Sequence, residues 1–128
     1  MNTRLVLAVT TIAGMAMAGC AAKDSATPES ATPAGAEVTV NATDTACELS
    51  AAEGTTGATT FAVTNNGTKV TELYVYGKDG SVLDEVENIS PGLKRDLVVN
   101  LTEPGTYKLA CKPGGVGDGV KADFSVKG

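Results

Sequence analysis

Histidine is absent from the 128 residues, which removes the side chain best suited to acid–base work at neutral pH. No serine-based triad and no acid–base pair of recognisable geometry takes its place, so the expectation is a protein that is not an enzyme. The chain also lacks any block of lysine or arginine, and its formal net charge is −5. That balance argues against nucleic acid as a partner and against electrostatic docking on anionic lipid; cations are the more natural ligands. A membrane-spanning run is missing too. The longest apolar stretch, Leu5 to Met17, has 13 residues, whereas about 20 are needed to cross a bilayer.

What that stretch does offer is the layout of an export signal: Arg4 ahead of it, the apolar run itself, and small residues after it. Met17-Ala18-Gly19-Cys20 resembles the bacterial lipobox, in which small residues precede a cysteine that receives a diacylglyceryl group. Residues 1–19 are therefore expected to be a lipoprotein signal peptide and Cys20 the lipidated first residue of the mature chain. The following segment, residues 20–36, is rich in Ala, Ser, Thr and Pro and has no large apolar residue. It cannot bury enough surface to fold and reads as a disordered tether. Removing Arg4 with the signal leaves nine basic against fifteen acidic residues, about −6 by that count. The expected location is extracytoplasmic, lipid-anchored to a bacterial cell membrane and facing the periplasm or cell surface.

Residues 37–128 remain for the folded body, enough for one modest core. Short β-prone runs alternate with turn residues, and no long helical periodicity is present. Phe61 and Val63 share a face of Thr59–Asn65, which ends in the turn signal Asn65-Asn66-Gly67. In Val70–Tyr76, Leu73 and Val75 alternate with Glu72, Tyr74 and Tyr76. Further runs lie at Val38–Val40, Ser81–Ile89, Asp96–Leu101, Tyr107–Cys111 and Val120–Val126. Seven to eight such strands predict an all-β, Greek-key antiparallel β-sandwich.

With Cys20 assigned to lipid, Cys47 and Cys111 form a pair. Outside the cytoplasm two leftover thiols are most economically a disulfide, and closing a loop of this length stabilises a fold by about 4 kcal/mol. The competing reading is a metal site, and the acids bear on it. Glu72 sits inside a β run, where charged residues are depleted. In Asp84-Glu85-Val86-Glu87, alternation leaves open which acid faces inward. The glycine-rich segment Gly114–Gly119 lacks the ending of a phosphate loop and reads as a flexible rim beside Cys111.

Gly105-Thr106-Tyr107-Lys108-Leu109-Ala110-Cys111 looks like the last-ligand segment of cupredoxins. More specifically, Cys47-Glu48, Thr71-Glu72, the run Asp84-Glu85-Val86-Glu87-Asn88-Ile89-Ser90-Pro91-Gly92, and Pro104-Gly105-Thr106-Tyr107 ahead of Cys111 resemble, in order, the cupredoxin-like domain of EfeO-type iron-uptake proteins. The resemblance implies copper or ferric iron bound through Cys47, Glu72, Glu85 and Cys111, with Glu87 as a substitute for Glu85. Thiolates suit copper and carboxylates suit ferric iron. Both cysteines must be reduced to serve as thiolates, so this site and the disulfide exclude each other. A blue-copper centre needs two histidines and a cysteine; with no histidine, and with Met1, Met15 and Met17 all in the signal, type 1 electron transfer is excluded. The larger EfeO-type proteins continue into a helical peptidase-like domain, whereas this chain reads as a stand-alone cupredoxin-like domain. An iron-uptake role then implies an uptake permease or a helical partner protein on another polypeptide. The leading expectation is a lipid-anchored metal-binding module; the alternative is a disulfide-stabilised interaction module without a metal.

Overall fold

The structure, a computed structural model, describes residues 35–128. The expected signal peptide, the lipidated Cys20 and the tether up to Pro33 and Ala34 lie outside the described residues. Nine strands run in order β1 (Ala36–Ala42), β2 (Cys47–Leu49), β3 (Glu53–Thr55), β4 (Gly57–Asn65), β5 (Thr71–Tyr76), β6 (Val82–Ile89), β7 (Lys94–Leu101), β8 (Gly105–Cys111) and β9 (Val120–Lys127), with a short 3₁₀ turn at Pro113–Gly115. They form a four-stranded sheet, β2-β1-β4-β7, and a five-stranded sheet, β3-β9-β8-β5-β6. The chain passes from one sheet to the other at β2–β3, β3–β4, β4–β5, β6–β7 and β7–β8, the wiring of a Greek-key sandwich.

Two features differ from the sequence expectation. There are nine strands rather than seven or eight, because β2 and β3 are three-residue strands that carry no apolar alternation of their own. Both sheets are mixed rather than purely antiparallel, since β1 pairs with β4 and β3 with β9 in parallel. Side-chain period reports which face a residue takes and not the direction of the neighbouring strand. Asn65-Asn66-Gly67 is a turn as expected, but the strands that flank it lie in different sheets and do not make a hairpin.

The core is the set of inward positions that the alternation marks: Val38 and Val40, Phe61 and Val63, Leu73 and Val75, Leu97, Val99 and Leu101, Tyr107 and Leu109, Phe124 and Val126. Phe61 from one sheet meets Phe124 from the other edge-to-face, with centroids 5.4 Å apart, the preferred geometry for rings whose edges are positive and faces negative. The Tyr107 hydroxyl donates to Glu103 O at 2.8 Å. This tie across the corner explains why a buried tyrosine follows Pro104-Gly105.

At the β5–β6 pairing the register shifts between Thr71 and Leu73: Leu73 faces Val86, while Thr71 faces Ile89. One residue of β5, Glu72, thus opposes two of β6, Glu87 and Asn88, which is a β-bulge. Asn88 has φ +57, a left-handed conformation that asparagine tolerates better than most residues. The extra residue returns Ile89 to the core, where it is fully buried, after a strand whose other residues are mostly exposed.

Asn65 is the polar pin of the same end of the sandwich. Its buried Nδ2 donates to Ile89 O and to Lys69 O, each at 2.7 Å, and its Oδ1 accepts from Gly67 N at 2.8 Å. These bonds tie the β4–β5 turn to the end of β6. Substitution Asn65→Asp keeps the shape but removes both donors and sets a carboxylate against two carbonyls. It is expected to lower unfolding free energy by about 2 to 4 kcal/mol, read from urea denaturation, whereas a change near zero would show that the amide bonds are dispensable.

Candidate functional site

Strand β5 decides where the expected site residues go. Leu73 faces Cys111 across β8 and Val86 across β6, while Tyr74 faces Ala110 and Glu85. Directly opposed residues on neighbouring strands share a face, and successive residues alternate. Leu73 and Cys111 therefore point into the sandwich. Glu72, Tyr74 and Glu85 point out of it.

The inward pair is oxidised. Cys47 on β2 and Cys111 at the end of β8 are joined by a disulfide with Cα atoms 5.5 Å apart. It crosses from one sheet to the other inside the core, with Cys111 at 0% and Cys47 at 8% exposure. In this state neither sulfur is a thiolate, so neither can ligate a metal as the cupredoxin resemblance implied.

On the outer face the acids gather around one tyrosine. Tyr74 is half-buried, stacks on Tyr76 with centroids 6.1 Å apart, and carries the Lys112 ammonium 3.9 Å from its ring centroid, a cation–π contact. Its hydroxyl donates to Glu87 Oε1 at 3.4 Å and lies within reach of Glu85. Desolvation first, then the negative charge of Glu72 and the neighbouring Glu85 and Glu87, hold the phenol protonated well above the usual tyrosine range. The chain after Cys111 closes one side. Lys112 N donates to Glu72 O at 2.9 Å and Gly114 N to Val70 O at 2.7 Å, which lays the 3₁₀ turn along the start of β5. Gly115, at φ +65, lies so close that a Cβ there would come 2.9 Å from Glu72 Oε1. The glycine-rich rim is thus packed beside Glu72 as well as beside Cys111.

Of the expected set, the structure brings Glu72, Glu85 and Glu87 to one face and Cys47 and Cys111 to the other. Among the described residues no group of three or more cysteine, aspartate or glutamate side chains is already arranged to hold a metal ion. The oxygen donors nevertheless share one surface, and Glu85 and Glu87 are exposed. Asp84 faces Val75 instead and accepts from Glu85 N. A concavity of about 330 Å³ lined by Lys78, Asp79, Asn100, Glu103 and Tyr107 lies at the other end of β5 and β8 and includes none of these residues. Sequence reasoning passed over Tyr74 and Lys112 as parts of the cluster. The signal for Tyr74 was its place two residues after Glu72 on the same strand face; Lys112 follows a core cysteine and so must turn outward.

A family profile described as cupredoxin-like domain matches residues 8–119. The chain is 34% identical over 92 residues to the iron uptake system component EfeO of Escherichia coli K12, and equally to that of Shigella flexneri, over 72% of this chain and 23% of those proteins. It spans under a quarter of the length of these curated relatives. Among solved structures, auracyanin B superposes with a TM-score of 0.59 at 17% identity, covering 78% of this chain and 94% of that one. Dithionite-reduced auracyanin from Roseiflexus castenholzii gives 0.56 at 15% identity, covering 73% and 100%. A copper-containing nitrite reductase from Thermus scotoductus gives 0.53 at 15%, covering 73% and 28%. At these identities the structural likeness is one of fold. The nine-strand sandwich and the profile match over most of the chain lead to one conclusion: this chain belongs to the cupredoxin-like domain family.

Proposed function

We propose that the protein is a non-enzymatic, extracytoplasmic metal-binding module, anchored by lipid at Cys20, that captures ferric iron or copper and passes it to an uptake permease or a helical partner protein. The observation that carries this reading is that Glu72, Glu85 and Glu87 share the Tyr74 side of one sheet face, with Glu87 accepting from the Tyr74 hydroxyl. The kinship with an iron uptake component adds to it. A cation on this face would be held by Glu72 and Glu85, with Glu87 beside them, and would relieve the repulsion among three carboxylates. The charge of Lys112 is turned onto the Tyr74 ring and leaves the acids without a salt-bridge partner among the described residues. Capture and release need no bond-making, and a site that must first order two exposed glutamates, at up to about 2 kcal/mol each, suits handing an ion on rather than storing it.

The second reading, a disulfide-stabilised interaction module without a metal, draws its support from the Cys47–Cys111 bond. The two readings part in binding measurements. Titration with ferric nitrilotriacetate and with cupric ion is expected to show saturable binding by the wild-type protein, weakened about tenfold or more in Glu72→Gln and in Glu85→Gln; equal, negligible binding in all three would leave the interaction module standing. Tyr74 offers an independent probe. In an alkaline ultraviolet titration its phenol should ionise above the usual tyrosine range, and Glu72→Gln should lower its midpoint, because removing a nearby negative charge favours the phenolate. An unchanged midpoint would separate Glu72 from the cluster.

A further inference from the structure

The two sulfurs and the three carboxylates stand on opposite faces of the five-stranded sheet, and strand geometry keeps them there. Glu72 immediately precedes Leu73, which is opposite Cys111. Bringing the Glu72 carboxylate to the Cys111 sulfur would require β5 to slip by one residue. That slip would turn Leu73 and Val75, both fully buried, out to solvent. Glu85 is bound by the same rule through its pairing with Tyr74. The bond itself is sealed, since Cys111 has no exposure and Cys47 almost none, whereas thiol–disulfide exchange requires a thiolate to reach one of the sulfurs.

From this we infer that Cys47 and Cys111 are a permanent structural cross-link, outside the metal chemistry in every redox state, and that the cation is held by oxygen donors alone. The inference rests on the metal-binding reading above and narrows its ion class. Carboxylate oxygens, with a phenol beside them, favour hard ions of high charge such as ferric iron. Cuprous ion prefers thiolate or thioether. Both sulfurs are sequestered in the core, and the three methionines all fall within the first 17 residues. Ferric capture and thiol redox state are then independent of each other.

The test uses the purified full chain in three arms. The native protein is incubated with a thiol reductant and an alkylating agent, with and without guanidinium, and modification of Cys47 and Cys111 is mapped by mass. Protection of both in the native state and labelling of both in guanidinium is the expected result. Ferric-loaded wild type, trapped with the same agent, should retain the intact disulfide. The double variant Cys47→Ala/Cys111→Ala, shown to be folded by near-ultraviolet circular dichroism, should bind ferric iron as the wild type does, and neither should take cuprous ion from a competing chelator. Labelling of the native protein, a cuprous site that appears on reduction, or a ferric affinity about tenfold weaker in the folded double variant would each overturn the inference. Wild type that binds no ferric iron defeats the metal-binding reading itself, and the protection arm then decides the cross-link on its own.

Discussion

A strand presents successive side chains to opposite faces, and in β5 that alternation sorts the whole molecule. Thr71, Leu73 and Val75 build the core; Glu72, Tyr74 and Tyr76 build the outer surface. Because β5 lies between β6 and β8, it imposes its faces on both neighbours. Cys111 is drawn inward opposite Leu73, and Glu85 is held outward opposite Tyr74. The separation of thiol from carboxylate is thus a consequence of register and not of local side-chain preference. Changing it would cost the burial of several large apolar side chains, each worth roughly 1.5 to 3 kcal/mol.

The cross-link and the acidic face play complementary parts within that frame. A body of this size buries a modest core, and the bond between β2 and β8 restricts its unfolded chain over a separation of 64 residues, worth about 4 kcal/mol. It also fastens the short edge strand β2 to the opposite sheet, where pairing with β1 alone supplies three registered residues. Stability on the inside frees the outside. The outer face can carry three carboxylates beside a half-buried tyrosine, the arrangement on which the proposed cation site rests.

Much of this was legible in the sequence, and the parts that were not have identifiable causes. Period-two patterning located seven of the nine strands and nearly all of the core, because burial on one face is what such alternation encodes. The strands β2 and β3 escaped because three residues define no period. Parallel pairing of β1 with β4 escaped because pairing direction leaves no trace in one strand's side chains. The pattern of Asp84-Glu85-Val86-Glu87 could not say which acid faces inward; the pairing of Leu73 with Val86 and the bulge at Asn88 settle it, and both depend on the partner strand. The resemblance to EfeO-type domains named the acids and cysteines as one set. Their residue types fit a mixed donor site, but a donor set read from types alone carries no record of which side of the sheet each occupies.

X-ray absorption fine structure at the iron edge of the ferric-loaded protein tests this account most directly. The separation of faces predicts a first coordination shell of oxygen alone. A sulfur scatterer in that shell would place Cys47 or Cys111 on the metal and contradict it.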